Sequence, residues 1–172
     1  MLVHRRPRSP AVTPWWTAGL FVAGCELLGF LGSVLGGQHR PQPWIDDTRK
    51  PALWPPAWAF PAVWAVVNYP SLAVATWLVW RQRATTPIAG ALQLFGIGLA
   101  FNVVFLPIVN RAKSRQVYVA MDSVGLLLAL ATTGTYARVA PAAAVAMAPL
   151  LAWSGFTTLI KALWWRMGPT EQ

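Results

Sequence analysis

Long apolar stretches alternate with short polar gaps along this chain. Trp15–Leu35 is interrupted only by Glu26, and Trp54–Trp80 carries no charge at all. Ile88–Val109 follows, then Val117–Ala137, interrupted only by Asp122, and Pro141–Trp165, interrupted only by Lys161. About 20 apolar residues cross the hydrocarbon core of a bilayer as a helix, and every one of these stretches is long enough. The pattern predicts helices at about 15–35, 54–80, 88–109, 117–137 and 141–165. The gaps at 81–87, 110–116 and 138–140 are short, which makes consecutive helices antiparallel neighbours. Only the connection at 36–53 is long. Pro61, Pro70, Pro107 and Pro149 fall inside the stretches, where neighbouring helices in a membrane can re-satisfy the freed carbonyls. The expected fold class is an all-α membrane protein, a five-transmembrane-helix bundle forming a single domain over residues 1–172, with a basic tail at 1–14.

Composition sharpens this reading. Of 172 residues, 56% are hydrophobic and only 11% charged, whereas soluble domains carry about 25% charged residues. The net charge of +9 would suggest nucleic acid in a soluble chain. Here the Lys and Arg residues lie mostly in the gaps between apolar stretches, and no nucleic-acid-binding motif is present. The basic residues are therefore assigned to lipid headgroups and topology, and nucleic acid is excluded as a partner. Six basic residues fall on the N-terminal side of the bundle and eight on the other, which slightly favours a cytoplasmic long loop and C-terminus. The first stretch is longer than the apolar core of a signal peptide and has no small-residue cleavage pattern before Gly36, so it is expected to be retained. Cys25 is the single cysteine and has no intrachain partner.

The most unusual composition lies in Trp44–Trp64, WIDDTRKPALWPPAWAFPAVW, where Trp44, Trp54, Trp58 and Trp64 alternate with Pro51, Pro55, Pro56 and Pro61. A Trp/Pro-rich segment at a membrane entrance suggests a rigid aromatic lid over a pocket inside the bundle. These residues carry a resemblance. Trp44, Lys50, Pro51, Pro55, Pro56, Trp58, Phe60 and Trp64 fit, without a gap, the W-x5-K-P-x3-P-P-x-W-x-F-x3-W block of the TspO/MBR family, the translocator proteins or tryptophan-rich sensory proteins. Gly29, Gly32 and Ser33 continue the match, followed by Asn102, Pro107, Asp122, Pro149, Trp153 and Thr158 in the same order, over about residues 15–167.

The resemblance implies a five-helix transmembrane bundle and ligands of the porphyrin, isoquinoline or benzodiazepine kind. It implies a planar-ligand site built from Trp44, Trp54, Pro55, Pro56, Trp64, Asn102 and Trp153, with indole faces for stacking, an amide at mid-membrane depth and a proline-stiffened cap. The chain also departs from the family pattern. Asn68 stands where many members have an aromatic residue, Gly98 where glutamine is frequent, and Phe105 where tryptophan is common. Leu150 replaces a usual tyrosine and Lys161 a frequent asparagine. A sterol-type pattern occurs at Leu130, Tyr136 and Arg138, a class of motif with weak specificity.

Three function classes follow. The favoured one is an integral membrane receptor or translocator for tetrapyrroles such as protoporphyrin or heme, requiring no cofactor of its own. The second is light-dependent porphyrin breakdown, although no nucleophile–base pair, metal cluster or cofactor loop marks an active site. The third is a sterol-binding or dimerising scaffold, with Gly29, Gly32 and Gly36 offering a small-residue face for a homodimer. His4 and His39 lack the neighbours needed for metal or heme ligation. Glu26 and Asp122 are expected to make hydrogen bonds to adjacent helices, and Lys161 to snorkel toward the helix end. Trp15, Trp16, Trp80, Trp164 and Trp165, at the ends of their stretches, are expected in the interfacial belts.

Overall fold

The computed structural model describes residues 13–38, 40 and 42–168; the tail positions up to 12, including His4, and His39 in the long loop lie outside them. The five apolar stretches fold as five helices long and apolar enough to cross a membrane: α1 (Trp16–Leu35), α2 (Ala59–Arg81), α3 (Ala89–Ala112), α4 (Arg115–Val139) and α5 (Pro141–Arg166). No strand occurs among the described residues. The chain is a multi-pass membrane protein. Its helices form a closed ring in which α1 lies between α2 and α3, α4 follows α3, and α5 returns to α2.

Prolines set the local irregularities. Pro55 and Pro56 keep 54–58 out of regular structure, so α2 opens at Ala59, five residues after the apolar stretch begins. Pro70 has no N–H to offer the carbonyl one turn back. Immediately before it, Trp64–Asn68 is wound as a π-helical turn, closed by the Tyr69 N–H on the Trp64 carbonyl. In α5 the helix is interrupted at Met147, between Pro141–Ala146 and Ala148–Arg166, with Pro149 just beyond the break. Between α3 and α4 the chain reverses through Lys113, at φ 48°, and Ser114, whose Oγ accepts from the Val117 N–H at 3.4 Å.

Glycines set the helix spacing. A Cβ on Gly32 would lie 3.0 Å from both the Asn102 carbonyl oxygen and the Val103 Cα, so α1 and α3 meet backbone to backbone. Pro107 removes the intrahelical partner of the Val103 carbonyl, and that oxygen points at Gly32. Further along, Asn110 Nδ2 donates to the Gly36 carbonyl at 2.7 Å. The small-residue face of α1 is thus occupied within the chain.

Packing differs between the two halves of the ring. On the side where α1 begins and α2 ends, the interior is filled. Phe21 meets Trp80 and Phe95 at ring distances of 6.3 and 6.2 Å, and the Tyr136 hydroxyl lies 2.7 Å from Thr76 Oγ1. Tyr136 is fully buried there. The sterol-type pattern therefore turns its tyrosine into the bundle and leaves Leu130 and Arg138 outside. The other half, beneath the long loop, is hollow.

Candidate functional site

The hollow is a cavity of about 300 Å³, at the lower end of the usual size range for small-molecule sites. Its floor is set by Met147 and Leu150, at the α5 break, and by Leu72 and Thr132. Aromatic side chains from three helices make the walls: Phe60 and Trp64 of α2, Phe95, Phe101 and Phe105 of α3, and Tyr118 of α4. The π-helical turn carries Trp64 on its first residue, and Tyr69, immediately after it, packs on Trp64 at a ring distance of 5.3 Å. Tyr69 also fills the space that a side chain at Gly29 would take.

The long loop closes the cavity with a second aromatic layer centred on Trp164. Trp44, Trp54 and Tyr118 surround its ring at 6.1, 5.4 and 6.4 Å. Trp164 Nε1 donates to Thr48 Oγ1 at 3.0 Å, which ties α5 to the loop. The Arg115 guanidinium lies over the same ring at 4.6 Å and donates to the carbonyls of Trp164 and Gly168. Trp164 is 0% exposed, so it is not an interfacial-belt residue. The end of an apolar stretch is interfacial only if nothing folds over it, and here the loop does. Trp15 and Trp16, by contrast, are exposed at the start of α1.

One ion pair stands in the cavity wall. Lys161 Nζ lies 2.7 Å from Asp122 Oδ2, with side chains 5% and 10% exposed. The ammonium also sits 4.1 Å from the centre of the Tyr118 ring and 5.7 Å from those of Phe60 and Phe105. Lys161 does not snorkel. A carboxylate on the adjacent helix and three ring faces hold its charge inside, where an unpaired charge is costly. Asp122 makes the interhelical contact expected of it. Glu26 does not: it lines the cavity from α1, and no hydrogen bond or ion pair joins it to any described residue.

The cavity is not closed on every side. α1 packs on α2 from Tyr69 onward, whereas the preceding Trp64–Asn68 turn packs on α5. Beyond Gly29, the Gly32 and Gly36 contacts direct α1 toward α3. A gap remains between Glu26, Phe30 and Ser33 of α1 and Pro61 and Ala65 of α2, all of which line the cavity. Phe30 is 68% exposed there. The gap runs from the middle of α1 toward the loop end, beside the first turns of α2.

The residues singled out from sequence fall into three places. Trp64 and Asn102 line the cavity, with Asn102 Nδ2 donating to the Gly98 carbonyl of its own helix at 2.9 Å. Trp44 and Trp54 belong to the lid cluster, and Pro55 and Pro56 to the loop that leads from it into α2. Trp153 stands one layer behind the wall, against Phe60 at 5.9 Å and Phe156 at 5.7 Å, with its buried Nε1 unpartnered among the described residues. The cavity adds Phe60, Phe101, Phe105, Tyr118, Tyr69 and Lys161. No spacing rule selects these from other apolar helix positions, although Lys161 is marked by its charge.

The sequence profile of the TspO/MBR family matches residues 21–166. The chain belongs to the TspO/MBR family. It is 35% identical to the human translocator protein over 161 residues, covering 89% of this chain and 90% of that protein. It is 28% identical to the tryptophan-rich sensory protein of Cereibacter sphaeroides over 138 residues, covering 80% of this chain and 82% of that protein. A translocator protein homolog of Schizosaccharomyces pombe is 26% identical over 148 residues. The family match spans all five helices, and the lid, the cavity and the α1–α2 gap all fall within it.

Proposed function

We propose that this TspO/MBR protein is a membrane receptor or translocator for planar lipophilic molecules, with tetrapyrroles such as protoporphyrin or heme as the preferred class. The observation that carries the reading is a hollow, aromatic-walled half-bundle, capped by the Trp-rich loop and bordered by exposed residues of α1 and α2. Flat ring faces at Trp64, Phe101 and Phe105 suit a flat conjugated ligand. A macrocycle larger than the enclosed volume extends into the α1–α2 gap. Its acidic rim is directed to the loop side, where Arg49 and Lys50 lie. The relatives' names, translocator and sensory protein, support transport or sensing, and the cavity wall offers no nucleophile–base arrangement to favour catalysis.

The test is a porphyrin titration of the protein in nonionic detergent, followed by tryptophan quenching. Saturable binding is expected. Trp64→Phe should weaken it several-fold, because an aromatic contact contributes about 0.5–1.5 kcal/mol beyond area burial, up to roughly tenfold in Kd. Trp15→Phe, at the exposed end of α1, should leave it unchanged. Equal losses from both variants would mean partitioning into an aromatic belt and would overturn the proposal. Illumination of the complex that yields a Trp64-dependent product would replace the receptor by the breakdown reading.

A further inference from the structure

Three acidic or basic side chains line the cavity: Glu26, Asp122 and Lys161. Two of them neutralise each other at 2.7 Å. Glu26 is left over. It stands midway along α1, where the apolar stretch has no other charge; the Tyr69 hydroxyl of α2 is its electrostatic neighbour, and no hydrogen bond joins it to any described residue. Gly29 and Phe30 of its own helix and Trp64, Ala65 and Tyr69 of α2 line the same cavity. An ionised carboxylate without a partner at this depth is expensive. No hydrogen bond to a described residue engages the carboxyl, so it is available to a ligand that enters the cavity.

We infer that the α1–α2 side of the cavity is a subsite for the protonated amine of a planar lipophile, with Glu26 as its counter-charge. This deepens the ligand-site reading above and rests on it. The chemistry is specific in sign. A cation beside Glu26 brings the lining to neutrality, whereas a second anion there would add to an uncompensated negative charge in a medium of low dielectric. The ring of Tyr69, near the carboxylate, can add cation–π attraction, which strengthens when desolvated. The gap also explains how such a ligand arrives. A neutral amine partitions into the bilayer, reaches the opening and meets Glu26 in its protonated form. The proton passes from the carboxyl oxygen to the amine nitrogen, leaving an ammonium–carboxylate pair. Arrival as ammonium at an ionised Glu26 ends in the same pair.

The experiment uses three probes with one ring system: 1-pyrenemethylamine, its uncharged N-acetyl derivative, and pyrenebutyrate. Each is titrated against the full chain in nanodiscs of zwitterionic lipid, read by energy transfer from tryptophan to pyrene and corrected against empty discs. The amine should bind about tenfold or more tightly than the amide, and the carboxylate more weakly than either. In Glu26→Gln, which keeps the shape and removes the charge, the amine should fall to the affinity of the amide while the amide stays unchanged. Equal binding of amine and amide in the parent, or a preference that survives Glu26→Gln, would overturn this inference and leave the cavity as a site for neutral planar ligands. Saturable binding of none of the three, with porphyrin still bound, would also overturn this inference; loss of porphyrin binding as well would overturn the ligand-site reading itself.

Discussion

Asp122 and Lys161 show what pairing does to single residues at membrane depth. Either charge alone costs about 2.5–3.5 kcal/mol to place at the centre of a spanning helix. Together, at 2.7 Å and enclosed by the rings of Tyr118, Phe60 and Phe105, they persist with almost no exposure. Breaking such a pair from one side leaves a buried uncompensated charge, at a cost of about 3–5 kcal/mol. Lys161→Met should therefore lower thermal stability in detergent substantially, and adding Asp122→Leu should recover most of the loss. A double variant as unstable as the sum of the singles would show that the two charges do not stabilise each other. All three membrane charges were legible in the sequence as interruptions of apolar stretches. Their roles were not. Sequence spacing fixes the depth of a residue on its own helix, but not which residue of another helix stands opposite. That is why spacing alone points Lys161 toward the helix end and Trp164 toward an interface, and why it gives Glu26 a hydrogen bond to a neighbouring helix that is not found among the described residues.

At the scale of elements, helix number and length were visible because the hydrocarbon core imposes a minimum apolar length. The helix boundaries shifted only where side chains or prolines decide them, as at Pro55–Pro56 before α2. Less legible were the π-helical turn ahead of Pro70 and the break at Met147. A proline announces a lost hydrogen bond, but not how the ladder closes again around it, and these two irregularities shape the cavity wall and floor. The glycines of α1 were legible as a close-contact face; that the contact is with α3 and not a second copy was not. The direction of α1 rests on this contact. Gly32→Ala places a methyl 3.0 Å from the α3 backbone, where no flexible side chain can yield, and overpacking of this kind costs about 1–3 kcal/mol. The variant should melt at a lower temperature than the parent. Gly19→Ala, with nothing within 4 Å of the added atom, should be neutral or slightly stabilising, since alanine is the better helix former. Similar losses in both would mean that the α1–α3 contact does not govern stability.

For the whole molecule, the single crossing of α3 places the α2–α3 and α3–α4 connections on opposite membrane faces. Thr85→Cys and Lys113→Cys, each in a Cys25→Ser background, should label with an impermeant thiol reagent from opposite sides of sealed vesicles. Labelling from one side would contradict the five-span ring. The same architecture offers a ligand two ways out, through the lid or through the α1–α2 gap. The lid is held by the ring contacts of Trp44 and Trp54 on Trp164 and by the bond from Trp164 to Thr48. The gap has no comparable closure. Phe30 at its edge is mostly exposed, and Pro61 and Ala65 are exposed on the other side. Exchange through an opening that already exists requires no loss of lid contacts, so the gap should carry it. Stopped-flow release of a bound porphyrin should be almost unchanged in Thr48→Val, which removes a hydrogen bond worth about 0.5–1.5 kcal/mol and loosens only the lid. Ala65→Trp, which narrows the gap, should slow association and release together, so that Kd changes less than either rate. Faster release in Thr48→Val with unchanged rates in Ala65→Trp would move the route to the lid, and the loop would then be a gate instead of a fixed cap.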